Sequence, residues 1–177
     1  MQIISGDLKA KKIVNLSNVT HPMSEKIRGG LFNILGDING LTFLDCYSGT
    51  GAVSFEAISR GAKSAVLVES DKKAQQSIVS NIKNLDVGSD VMLIKSSVKN
   101  FVDNYKGERF DVVLCDPPFD KPIDINTISR LETLVKTDKL LIISLPNQSF
   151  DFHFNSMDEI KVKIYGDARL VFFRRKI

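Results

Sequence analysis

Apolar residues recur along the chain in two rhythms. Ile27, Leu31, Ile34, Leu35 and Ile38 fall at helical spacing and predict a helix from about Ser24 to Ile38. Ala74, Ile78, Ile82 and Leu85 predict another, opening at Asp71. Val53, Ala57 and Ile58 mark a third, stopped by Gly61. Shorter helices are expected around Phe101, Val102 and Tyr105, and from Ile125 to Val135. Between them lie compact apolar runs: Leu41 with Phe43 and Leu44, Ala65 to Val68, Val91 to Ile94, Val112 to Cys115, and Leu140 to Leu145. Such runs, bounded by breakers, read as buried parallel strands. Alternation appears at the two ends. Ile3 and Ile4 against Ile13, Val14 and Leu16 suggest a small N-terminal β-hairpin. Ile160, Val162 and Ile164 against Ala168, Leu170 and Phe172, about Gly166-Asp167, predict a terminal antiparallel hairpin. The fold class expected is α/β, a mostly parallel sheet covered by helices on both faces. One domain spans 1–177, with 1–22 as a hairpin appendage and 23–177 as the core.

The most telling string is Asp116-Pro117-Pro118-Phe119, which follows directly on the Val112 to Cys115 strand. Two prolines cannot donate to a ladder, and each biases the residue before it away from helix. The result is a rigid corner at a strand's carboxyl end. There the Asp116 carboxylate and the Pro117 carbonyl can accept the hydrogens of an amine, while the Phe119 ring meets the face of a planar group. An ordinary strand followed by a proline-rich loop is the plainer alternative.

A second string runs from Phe43 to Ala62 as strand, small-residue turn and helix. Asp45, Ser48, Gly49 and Gly51 form the turn, whose glycines permit positive φ and close approach of a ligand. The third glycine of the dinucleotide fingerprint is missing, so the turn alone is weak evidence. The next strand ends at Glu69, and an acidic residue placed there can accept both hydroxyls of a ribose. The competing role for Glu69 is a carboxylate at a helix N-terminus.

Composition changes this picture little. With 43% hydrophobic and 25% charged residues, the chain has the make-up of an ordinary soluble globular protein. No apolar run reaches the ~20 residues of a membrane span, no signal-peptide core opens the sequence, and a cytoplasmic protein is expected. Cys46 and Cys115 read as small buried hydrophobes, and no metal site is expected from the spacing of His and Cys. The net charge of +3 is too small to argue for nucleic acid by itself. Its distribution says more. Lys9, Lys11, Lys12, Lys26 and Arg28 cluster near the N-terminus and Arg169, Arg174, Arg175 and Lys176 near the C-terminus, as phosphate-binding patches require.

Together these strings resemble the class I S-adenosylmethionine-dependent methyltransferases. More closely, they resemble the bacterial family that methylates the exocyclic N2 amine of a guanine in 16S ribosomal RNA. The resemblance spans nearly the whole chain, from Ile4-Ser5-Gly6 through Arg28, Leu31-Phe32-Asn33 and Leu35 to the Asp45 turn. It continues through Glu56-Ala57, Ser59-Arg60-Gly61-Ala62 and Leu67-Val68-Glu69 to Asp116-Pro117-Pro118-Phe119 and Tyr165-Gly166-Asp167. It implies a Rossmann-like core with a seven-stranded sheet and S-adenosyl-L-methionine as cofactor. Asp45, Ser48, Gly49, Gly51, Glu69 and Ser97 would bind the cofactor, and Asp116, Pro117, Pro118 and Phe119 the reacting amine. Lys9, Lys11, Lys12 and Arg28 would meet RNA. The partner implied is 16S ribosomal RNA or the small ribosomal subunit, with no membrane, and a monomer suffices.

Some residues depart from the family pattern. Ser97 stands where an acidic residue is common, Gly29-Gly30 where a Glu-small pair is usual, and His21 and Met23 where Arg and Thr are usual. Ser144 to Asn147 lacks the customary acidic character. Two other functions stay open: an amino methyltransferase acting on adenine N6 in DNA or another RNA, and a non-catalytic RNA-binding or ribosome-assembly protein.

Overall fold

The computed structural model describes residues 1–16, 22–148 and 151–177. Seven strands form one sheet in the order β3-β2-β1-β4-β5-β7-β6. They are β1 (Thr42–Cys46), β2 (Ser64–Glu69), β3 (Val91–Lys95), β4 (Phe110–Cys115), β5 (Val135–Pro146), β6 (Met157–Tyr165) and β7 (Ala168–Arg175). Strands β1 to β5 run parallel, and β7 pairs antiparallel with both β5 and β6. This is the expected α/β fold with its terminal hairpin.

Successive strand residues feed opposite cores, because side chains alternate across a pleated sheet. Phe43, Leu67, Val112, Leu114, Ile142 and Phe172 pack under α1 (Glu25–Leu35), α2 (Ala52–Ser59) and α3 (Lys72–Leu85). Leu44, Cys46, Val68, Val113, Cys115 and Ile143 pack under α4 (Val98–Asn104), α5 (Ile125–Arg130) and the 3₁₀ turn Leu131–Leu134. Cys46 and Cys115 are free and buried, as expected of small hydrophobes.

Boundaries differ from the hydrophobic pattern where the backbone demands it. Helix α1 stops at Leu35 because Gly36 takes φ 70 and closes the last turn on the Phe32 carbonyl, so Ile38 is buried beyond the helix and not on it. Strand β5 starts at Val135, five residues early, since Val135 pairs with Phe110 before a register shift. The N-terminal hairpin is reduced to one antiparallel bridge, Gln2 with Lys12. That segment is nevertheless part of the core: Ile3 and Ile13 are buried in the first cluster. The Glu56 carboxylate accepts the Ile4 and Ser5 N–H groups at 2.7 and 3.0 Å. Gly6, at φ +84, lies so close to α2 that a Cβ would stand 1.7 Å from the Ser59 carbonyl oxygen. The two motif halves read from the sequence, Ile4-Ser5-Gly6 and Glu56 to Gly61, therefore hold each other.

Candidate active site

Three carboxylates converge at the carboxyl edge of neighbouring strands. Asp45 sits within β1, Glu69 ends β2, and Asp116 follows β4, its N–H donating to the Cys46 carbonyl at 3.3 Å. Asp45 and Glu69 are buried, at 3% and 8% exposure. Burial pushes the Asp45 carboxyl up to about 7; repulsion from Asp116 and Glu69 adds to this, and a 2.7 Å hydrogen bond from the Ser54 hydroxyl opposes it. Burial likewise raises Asp116 to about 6, against a hydrogen bond from Ser144. No lysine or arginine enters either balance. Among the described residues no counter-charge enters the balance of either carboxyl, and this acidic basin suits a ligand that brings a cation.

Glu69 has a second task. Its Oε2 accepts the Gly49 N–H at 2.8 Å, and its Oε1 accepts the Ser70 and Asp71 N–H groups at 2.7 and 2.8 Å. It hitches the glycine turn to β2 and keeps spare acceptor capacity for a ligand hydroxyl, since a carboxylate offers about four acceptor sites. Those two N–H groups lead into α3, so Glu69 also meets the helix-terminus role weighed for it, beside Asp71, which caps α3. Within the turn, Tyr47, Gly49 and Gly51 all have positive φ, at 62, 57 and 78°. The Ser48 hydroxyl donates to the Asp45 carbonyl at 2.6 Å.

Gly51 has the positive φ expected of it, and packing gives a second reason for a glycine there. A Cβ there would meet Phe55 at 2.6 Å and Leu67 at 2.9 Å, so its absence lets α2 sit down on β2. Ser97 caps α4, accepting the Asn100 N–H at 3.2 Å, and stands exposed just past the end of β3. Pro117 is buried while Pro118 and Phe119 are exposed, so the Phe119 ring is free to stack.

Arg28 must be withdrawn from the RNA-contacting group. It is fully buried, ion-paired to Glu56 at 3.5 Å, and donates to the Gln2 carbonyl at 2.5 Å and the Met23 carbonyl at 3.4 Å. A guanidinium enclosed in this way cannot reach a phosphate. Lys9, Lys11 and Lys12 are exposed. The turn carrying Lys9 and Lys11 docks through Asp7 and Leu8 on Ser59, the far end of α2. That is a helix length, roughly 12 Å, from the glycine turn. Gly30 leaves room for the Tyr165 hydroxyl, which a Cβ would meet at 1.9 Å. Met23 lends its carbonyl to Arg28, and His21 lies outside the described residues.

Sequence reading gave no role to Ser54, Ser144 or Glu56, the side chains that hold Asp45, Asp116 and the N-terminal segment. The Ser144 string stands out in the sequence only for lacking acids. Ser54 and Glu56 lie inside the expected helix with nothing local to mark their partners.

The family described as Conserved hypothetical protein 95 has a model that matches residues 1–174. The chain belongs to this family. Among curated relatives, the family resemblance is to proteins named Ribosomal RNA small subunit methyltransferase D. One from Buchnera aphidicola is 35% identical over 133 residues, covering 73% of this chain and 69% of the relative. Another, from Escherichia coli, is 34% identical over 134 residues, covering 75% and 67%. Among solved structures, Escherichia coli yhhF superposes with a TM-score of 0.88 at 26% identity, covering 99% of this chain and 98% of that one. A conserved hypothetical protein of Streptococcus pyogenes gives 0.77 at 31% identity, covering 84% and 95%. The family fold is thus the fold found here.

Proposed function

We propose that the protein transfers a methyl group from S-adenosyl-L-methionine to the N2 amine of a guanine in 16S ribosomal RNA, acting as a monomer in the cytoplasm. The observation that carries this reading is the acidic basin of Asp45, Glu69 and Asp116, opening beside the Asp116-Pro117-Pro118-Phe119 corner. The cofactor's sulfonium and ammonium are cations, and its ribose offers two hydroxyls. Glu69 would hold that ribose, the turn from Ser48 to Gly51 the amino-acid end, and Asp45 would add negative charge beneath. Ser97, at the end of β3, would flank the adenine. When bound, the cofactor supplies an electrophilic methyl group. The relatives' names point to small-subunit ribosomal RNA as the substrate.

The chain's own residues prepare the amine. A guanine amine is a poor nucleophile because its lone pair is delocalised into the ring. The Asp116 carboxylate and the Pro117 carbonyl accept its two hydrogens, which turns the lone pair out of the ring plane. Phe119 stacks on a base turned out of the RNA, as base-modifying enzymes generally require. Positioning and electrostatics carry the reaction, and the proton leaves the amine after alkylation, when it is strongly acidic. Lys9, Lys11 and Lys12 offer an exposed basic face to RNA.

Mass spectrometry of nucleosides from small-subunit RNA of cells lacking the gene tests this. Loss of N2-methylguanosine, restored by the purified protein with cofactor, is the expected result. Loss of N6-methyladenosine instead would make the enzyme an adenine methyltransferase. An unchanged nucleoside profile would leave only a binding role.

A further inference from the structure

A groove of about 480 Å³ opens between α3 and the edge strand β3, lined by Lys72, Gln75, Gln76, Val79, Ser80 and Lys95. No carboxylate lines it. Neither lysine has an ion-pair partner among the described residues. The groove's place in the sheet gives it meaning. Lys95 is the last residue of β3, in register with Glu69, and Lys72 is the first residue of α3. Both cations therefore stand at the carboxyl edge, on the side of the acidic basin. In the order β3-β2-β1-β4, Lys95 lies three strand spacings from Asp116, roughly 14 Å. The Gln75 side chain donates to the Glu69 carbonyl at 2.8 Å and fixes the groove wall to the strand that carries the basin.

We propose that this groove holds the phosphate backbone of the RNA flanking the target nucleotide. The proposal rests on the ribosomal RNA reading above and names the surface that would grip the substrate. An acidic basin repels a polyanion, so a base can enter it only if phosphates nearby are held by cations outside it. Lys72 and Lys95 are unpaired cations in that position. The Gln76 amide and the Ser80 hydroxyl add donors for phosphate or sugar oxygens, and Val79, half exposed, offers an apolar floor for a ribose. The turn bearing Lys9 and Lys11 is docked at the far end of α2, away from the carboxyl edge.

The test compares the full-length wild type with Lys72→Glu/Lys95→Glu and with Lys9→Glu/Lys11→Glu/Lys12→Glu. Fluorescence anisotropy on a protein-free fragment of small-subunit RNA is measured over a salt series, with S-adenosylhomocysteine titrated as a control for the basin. In the groove variant the slope of log K against log salt should flatten by about 0.7 to 0.9 for each phosphate that is no longer neutralised. Affinity at low salt should fall about tenfold or more, and the cofactor product should bind as before. An unaltered slope in that variant would overturn the proposal. A wild type that binds neither RNA nor cofactor product would instead remove the functional reading on which the proposal rests.

Discussion

Asp116 and Asp45 show how one chemical group acquires two characters from its surroundings. Asp116 is raised to about 6 by burial and held below a higher value by Ser144. Single-turnover methyl transfer should therefore lose activity as pH falls through about 6. Removing the hydroxyl with Ser144→Ala should move that acid limb to higher pH, and Ser144→Thr should restore it; a limb that ignores both would detach Ser144 from the chemistry. Asp116→Asn keeps an acceptor but not the charge. If the carboxylate acts mainly in the transition state, the transfer rate should drop by roughly 10²–10³, with cofactor affinity little changed. Asp45 offers a stability test. Its carboxyl is higher in the folded state than the ~3.9 of an unfolded chain, so its contribution is fully present below pH 4 and is lost as pH rises through about 7. Asp45→Asn keeps the Ser54 hydrogen bond and removes a buried charge. It should stabilise the protein at pH 8 by up to about 4 kcal/mol and leave it unchanged at pH 4, while weakening cofactor binding. Thermal unfolding at the two pH values decides this.

At the scale of elements, the N-terminal segment is held by side chains of α2, not by its own pairing. Glu56 serves two of its N–H groups and both Arg28 and Arg60, and it is wholly enclosed. Breaking such a site leaves a buried charge unpaired, which costs about 3–5 kcal/mol. Gly6→Ala attacks the same junction sterically, since its Cβ would overlap the Ser59 carbonyl at a left-handed φ. The expected outcome is a segment detached from α2 on an otherwise folded sheet. Hydrogen exchange should show diminished protection at Ile4, Ser5 and Leu8, with β1 and β4 unaffected. Full protection at those three amides would mean that α2 yields instead. The Tyr165 hydroxyl seated over Gly30 makes a comparable tie between the β6–β7 turn and α1. It gives a packing reason for a residue that would otherwise weaken a helix interior by about 1 kcal/mol relative to Ala.

Across the whole molecule, charge is sorted between neighbouring surfaces: an uncompensated acidic basin over β1, β2 and β4, and unpaired lysines beside it on β3 and α3. A cationic cofactor should sense the basin's ionisation. The thermal shift produced by S-adenosylmethionine should be largest near pH 8 and shrink as pH falls through about 7, as Asp45 takes up a proton. A shift that stays constant down to pH 5 would show that Asp45 does not hold the cation. Most of the strands and helices could be read from the sequence, because hydrophobic period is a local property and the sheet accepts it on both faces. The strings from Asp45 to Gly51 and from Asp116 to Phe119 were readable for the same reason: each places its groups within a few bonds of a strand end. Ser144 beside Asp116, Glu56 beneath Ser5, Tyr165 over Gly30 and the enclosure of Arg28 were not. Each joins residues far apart in the chain, 51 positions in the case of Glu56 and Ser5, and no local pattern encodes such a partner. The lysines make the same point about exposure. The sequence supplied their number and clustering, but only the packing of α2 and α3 on the sheet decided which of them stand beside the crevice.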